Sequence, residues 1–168
     1  MINGRFLHAA KVPMYWIAGT NDQNVTPETL QQGFNECPTI QNKSLVAKIR
    51  HSHNHGFRLK ACQRMADHFL KGAPSLPKLG KPVLKDGILS AEILQEGKGI
   101  KKAILSYTVD RAENKAHKRV WKTVAATINV KKVSATLPAD TFQCFLSVYD
   151  EETQENDCCG SSDLVVMK

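Results

Sequence analysis

Val12-Pro13-Met14-Tyr15-Trp16-Ile17-Ala18-Gly19 is an apolar run of strand length closed by a glycine, and Thr20-Asn21-Asp22-Gln23-Asn24 follows it as a turn-rich loop. A short run without polar alternation reads as a strand buried on both faces, the kind found in a parallel sheet. Thr26-Pro27-Glu28 then supplies an N-cap, a proline at the first helical position and an acidic first turn. The helix starting there carries Leu30 and Phe34 on one face and must stop before Pro38. Ser44 to Arg50 is the next strand, and Leu59, Cys62, Met65, Ala66, Phe69 and Leu70 recur at helical spacing, predicting a helix from about Arg58 to Lys71. Strand, loop, helix, strand, loop, helix is an α/β order, and it brings the loops after both strands to one edge of the sheet.

Working outward, Gly72 to Pro82 holds Pro74, Pro77 and Pro82 with Gly72 and Gly80, which cannot continue a helix and suits an extended linker. Beyond it the helical period vanishes. Ile88 to Leu94, Ala103 to Val109, Val120 to Ala126, Val133 to Leu137, Phe142 to Tyr149 and Leu164 to Met167 are short runs rich in branched and aromatic residues, separated by turn residues. They predict a small antiparallel sandwich of the immunoglobulin or fibronectin type III kind, with Trp121 in its core. The expected organisation is therefore residues 1–71 as the C-terminal part of an α/β-hydrolase-like sheet, 72–82 as linker and 83–168 as an all-β sandwich. Two strands do not make a stable sheet with both faces covered. An exposed apolar edge at the first strand or its neighbour, self-association through it, partial order in residues 1–77 and independent folding of the sandwich are expected.

At 42% apolar and 23% charged residues, the composition is that of an ordinary globular protein. No run is long and apolar enough for a membrane span, and Met1 to Phe6 lacks the pattern of a signal peptide. An exported form would carry its signal outside these residues. The net charge of +7 is spread over pairs such as Lys101-Lys102, Lys118-Arg119 and Lys131-Lys132, so no nucleic-acid partner is expected. Five cysteines, with no pair of CxxC motifs, favour neither a disulfide framework nor a zinc knuckle.

The chemistry-bearing stretch is Arg50-His51-Ser52-His53-Asn54-His55-Gly56-Phe57, in which three imidazoles alternate directly after a strand. An imidazole there can be a general base, a metal ligand or a solvated side chain. The partner expected for the base is Asp22. The alternative is a metal site on His51, His53 and His55, because ring nitrogens suit Zn²⁺ or Ni²⁺ and alternation puts all three on one side; no fourth ligand recurs at a familiar spacing. Outside that metal alternative, His51, like His8, His68 and His117, is read as a surface or structural residue.

Pro13 to Asp22, the proline-started helix and the strand leading to His53-Asn54-His55-Gly56-Phe57 resemble the C-terminal part of an α/β-hydrolase, within that superfamily most the acetylxylan-esterase and dienelactone-hydrolase-like group. The resemblance implies that Asp22 is the acid of a Ser-His-Asp triad and His55 its base, with His53 the close second. A carboxylate then holds the imidazole in the right tautomer while the imidazole takes the proton of a serine. It implies a serine hydrolase acting on an acyl ester, such as an acetylated polysaccharide, without cofactor. Trp121-Lys122-Thr123, Val133 to Pro138, Phe145 to Asp150 and Ser161-Ser162 resemble the sandwich module that follows the hydrolase domain in some bacterial esterase-like proteins. The departure is the nucleophile: no Gly-x-Ser-x-Gly elbow occurs, and Ser44, Ser52, Ser75 and Ser161 lack that context. Residues 1–168 are therefore expected to be inactive by themselves. A serine peptidase on the same scaffold and a non-catalytic binding protein carried by the sandwich are the alternative functions.

Overall fold

The computed structural model describes residues 4–52, 60–111, 113–151 and 160–167. After a 3-10 helix over Gly4–Ala9 come β1 (Met14–Asn21), α1 (Pro27–Glu36), β2 (Ile40–Arg50) and α2 (Lys60–Lys71). Ten further strands follow: β3 (Lys78–Leu79), β4 (Val83–Lys85), β5 (Ile88–Gln95), β6 (Ile100–Thr108), β7 (Lys122–Ala125), β8 (Thr127–Asn129), β9 (Lys132–Thr136), β10 (Gln143–Asp150), β11 (Gly160–Ser161) and β12 (Val165–Val166). A second 3-10 segment, Glu113–Lys118, lies between β6 and β7 and is broken by the non-helical dihedrals of Lys115.

Local chemistry explains the first half. The Thr26 side chain accepts the backbone N–H of Thr29, and Pro27 opens α1, so the cap forms as its residues dictate. β1 and β2 pair in parallel, with Trp16 opposite Lys43 and Ala18 opposite Leu45. Alternation along β1 then sorts side chains to two faces. Trp16 and Ala18 pack with Leu30 and Phe34 of α1, the Trp16 and Phe34 rings meeting edge to face at 5.1 Å. Tyr15 and Ile17 pack with Ala61 and Met65 of α2 and with Leu76.

The second half is two antiparallel five-stranded sheets. One runs β11-β10-β6-β7 with β12 beside β10, the other β3-β5-β9-β8 with β4 beside β5. They share a core in which Leu89 and Val133 meet Leu105, Leu146 and Val148, all fully buried. β10 is buried at all eight positions. Cys144, Leu146 and Val148 fill the core between the sheets; on the other face of β10 Phe145 and Trp121, with rings 5.5 Å apart, join Ala18, Leu30, Phe34 and Leu45.

This arrangement corrects the fold expected from sequence. Residues 1–71 are not the end of an α/β-hydrolase sheet; the chain is mostly β, with ten of its twelve described strands in the antiparallel sheets and one parallel pair laid against them. The physical reason lies in the neighbours of β2. No further parallel strand extends it among the described residues; instead Ser161 Oγ accepts the Leu45 N–H at 3.0 Å and donates to the Leu45 carbonyl at 3.2 Å. The strand–helix order was a true local signal, but Phe145 of β10 and Trp121 join α1 on one face of the ribbon, and Ser161 of β11 meets its edge.

Polar contacts reinforce the joint. Arg64 of α2 grips the Asp150 carboxylate through both guanidinium nitrogens at 2.8 and 2.7 Å. Arg119, almost wholly buried, donates at 2.6 Å to Glu28 and at 2.9 Å to Gln143. Burial opposes ionisation of Glu28, but hydrogen bonds from Arg119 and Gln143 outweigh it and hold the carboxyl below its ordinary 4.5. The residues expected as linker are also engaged: Asn42 Nδ2 donates to the Pro77 carbonyl at 2.7 Å, and Leu76 is fully buried.

Because Phe145 belongs to a core built from both halves, Phe145→Ala is expected to cost about 3–5 kcal/mol. The two halves should then melt together, which Trp16 and Trp121 report separately in Trp16→Phe and Trp121→Phe proteins; two separated transitions would refute the shared core. A carboxyl depressed in the folded state adds stability that is present above its ordinary value and lost as pH falls through its folded one. Glu28→Gln should therefore cost about 1–2 kcal/mol near neutrality, discounted for the partial exposure of Glu28. It should also flatten the loss of stability that sets in as pH falls below about 4.5, read by urea titration.

Candidate active site

Four consecutive residues at the end of β1, Gly19-Thr20-Asn21-Asp22, do four different things. Gly19 lets β2 approach: a Cβ there would sit 2.2 Å from the Ile49 carbonyl oxygen. Thr20, fully buried, accepts the Lys48 N–H at 2.9 Å and donates to Asn21 Oδ1 at 2.9 Å. Asn21 Nδ2 donates to the backbone carbonyls of His117 at 2.7 Å and Arg119 at 2.9 Å, tying the end of β1 to the segment before β7. Asp22 begins the loop, and its Oδ1 accepts the N–H groups of Asn24 at 2.7 Å and Val25 at 3.1 Å, a turn that fixes the carboxylate.

The opposing strand bulges at this level. Gly19 lies opposite Val46 and Asn21 opposite Arg50, so two residues of β1 face four of β2. Lys48 adopts φ +69°, a left-handed conformation costly for a side-chain-bearing residue, and its bond to Thr20 holds it there. The bulge advances β2 so that its next residue, His51, reaches the loop. His51 Nδ1 lies 2.9 Å from Asp22 Oδ2. Asp22 is the more sheltered partner, with 17% of its side chain exposed against 37% for His51. Burial pushes the Asp22 carboxyl up, but the His51 hydrogen bond, the two backbone N–H groups and the His51 charge together bring it below 3.8.

The structure thus joins Asp22 to an imidazole of the expected stretch, but through His51, which was read only as a metal ligand or a surface residue. His53 and His55, the residues taken as base, lie outside the described residues, as does most of the proposed metal set. Among the described residues no three His, Cys, Asp or Glu side chains are placed to hold a metal ion. The other candidates have structural occupations. His68 Nδ1 meets the Ala73 carbonyl at 2.7 Å behind α2, Ser44 Oγ meets Tyr15 at 2.7 Å, and Ser161 closes β2. Burial pushes the Cys144 thiol up to about 12, so it is core rather than nucleophile.

A cavity of about 660 Å³ opens beside the pair, between the ends of β1 and β2 and residues 117–121, with His51, Lys48, Arg50 and Lys118 in its lining. Its size falls within the usual range for a small-molecule site. Sequence reasoning missed this wall, because the bonds from Asn21 to residues 117 and 119 span 96 and 98 positions and leave no local trace.

Chemically, a carboxylate on Nδ1 favours the imidazole tautomer that carries its proton on Nδ1, which makes Nε2 the acceptor nitrogen. Long-range ¹H–¹⁵N spectra at neutral pH should therefore show Nδ1-protonated His51, and Asp22→Asn should move it toward the Nε2-protonated form; an unchanged tautomer would sink the pairing. Comparison with family models, with curated proteins and with solved structures returns no match to this chain.

Proposed function

We propose that this chain supplies the acid–base half of a Ser-His-Asp hydrolase acting on acyl esters, with Asp22 as the acid and His51 as the base. The single observation that carries the reading is the 2.9 Å contact between His51 Nδ1 and an Asp22 carboxylate already anchored by two backbone N–H groups. A base oriented by a third group is the recurring mark of an activated nucleophile. The resemblance of Pro13 to Asp22 and of the histidine stretch to the acetylxylan-esterase-like group supports the same roles, displaced by one or two alternate positions onto His51.

In this reading a serine Oγ–H gives its proton to His51 Nε2 as Oγ attacks the acyl carbon. The resulting imidazolium is stabilised by Asp22 and returns the proton to the departing alkoxide. Water then attacks the acyl-enzyme, giving its proton to His51 Nε2, which returns it to the serine Oγ as the carboxylic acid leaves. The nucleophile is not in a Gly-x-Ser-x-Gly elbow within residues 1–168 and comes from polypeptide beyond them.

The test has two stages. The reading frame upstream of Met1 should continue through a Gly-x-Ser-x-Gly elbow; a closed frame there would overturn the proposal. In the longer product, His51→Gln and Asp22→Asn should each lower kcat on p-nitrophenyl acetate by roughly 10³–10⁴, with melting temperature nearly unchanged. Residues 1–168 alone should show no His51-dependent turnover.

A further inference from the structure

We propose that the cavity beside Asp22 and His51 receives a negatively charged group, so that the ligand of this site is an ester carrying a carboxylate elsewhere in the molecule. The ester half of that statement rests on the hydrolase reading above. The anion half stands on the cavity alone.

Lys48 and Arg50 reach it from the bulged end of β2, and Lys118 from the opposite wall. Among the described residues no aspartate or glutamate lines it. The nearby carboxylates are already engaged, Asp22 with His51 and Glu28 with Arg119 and Gln143. Among the described residues, Lys48, Arg50 and Lys118 form no salt bridge. Behind them, Arg119 Nε and Trp121 Nε1 are buried with no acceptor among the described residues. Three cations around one concavity repel one another and focus a positive potential into it, which an anion relieves.

The arrangement is held in place by contacts already described. Lys48 is fixed in its left-handed conformation by Thr20, and the 117–119 segment is clamped by Asn21, so the two charged walls keep their separation. Val120, largely exposed, adds an apolar surface for the uncharged part of the ligand. A carboxylate seated among Lys48, Arg50 and Lys118 would leave the remainder of the molecule beside His51.

The experiment uses residues 1–168 labelled with ¹⁵N and two probes of nearly equal shape, monomethyl succinate and dimethyl succinate. The monoanion should shift the amides of Arg50 and Val120 and bind at least about tenfold more tightly than the neutral diester, with the preference shrinking as salt rises from about 50 mM to about 500 mM. Arg50→Gln with Lys118→Gln should remove the preference, while Arg50→Lys with Lys118→Arg keeps it. Equal binding of the two probes, or a preference that survives the double glutamine protein, would overturn the inference. His51→Gln separates it from the hydrolase reading. Anion preference without His51-dependent turnover in the longer product leaves this inference standing and removes that one; His51-dependent turnover with no anion preference does the reverse.

Discussion

Leu45 presents a backbone N–H and a carbonyl on the outer edge of a two-stranded ribbon, and a single hydroxyl, Ser161 Oγ, meets both. Parallel strands bury their faces under helices, and α1 and α2 do so here, but helices cannot satisfy an edge. The edge is met by a side chain from the antiparallel half. That contact sets how the ribbon lies: Trp16 and Ala18 are held toward Phe145 and Trp121, and β10 becomes a strand with core on both sides. The position of Asp22 follows, because it is the residue after the ribbon's first strand.

What could be read locally was read well. The cap at Thr26, the apolar strand through Gly19 and the burial of Trp121 depend on residues within a few positions of one another. The fold class did not follow, because an alternating strand–helix pattern says how many elements there are but not what covers them. Two parallel strands are consistent with an α/β sheet and with a ribbon on a β-rich body; Ser161 and Phe145, more than a hundred and about a hundred positions from their partners, decide between the two. That His51 would meet Asp22 was not legible for a subtler reason. In an alternating set, which ring meets the carboxylate depends on register, and the register shift between Gly19 and Asn21 rests on a lysine in a left-handed conformation, for which lysine carries no signal.

Charge is arranged with some economy around this register shift. The buried carboxylates, Asp150 and the half-buried Glu28, take arginines that cross between the halves. The cations left over gather where the ribbon ends. A net charge of +7 that looked diffuse along the chain is therefore partly concentrated in space, since Lys48 and Lys118 are distant in sequence and share one cavity.

The amide of Asn21 has a consequence in time as well as in space. Its two acceptors lie 96 and 98 residues downstream, so the wall of the cavity closes only after nearly the whole chain has been brought back on itself. Closing a loop of that length costs about 4 kcal/mol of chain entropy, repaid only when the intervening sheets are in place. The ribbon can pair its strands early; the cavity beside it belongs to the last contacts to form. A ribosome-bound chain stopped short of residue 117 would hold Asp22 without its cavity, and binding at this site is thereby tied to completion of the β-rich half.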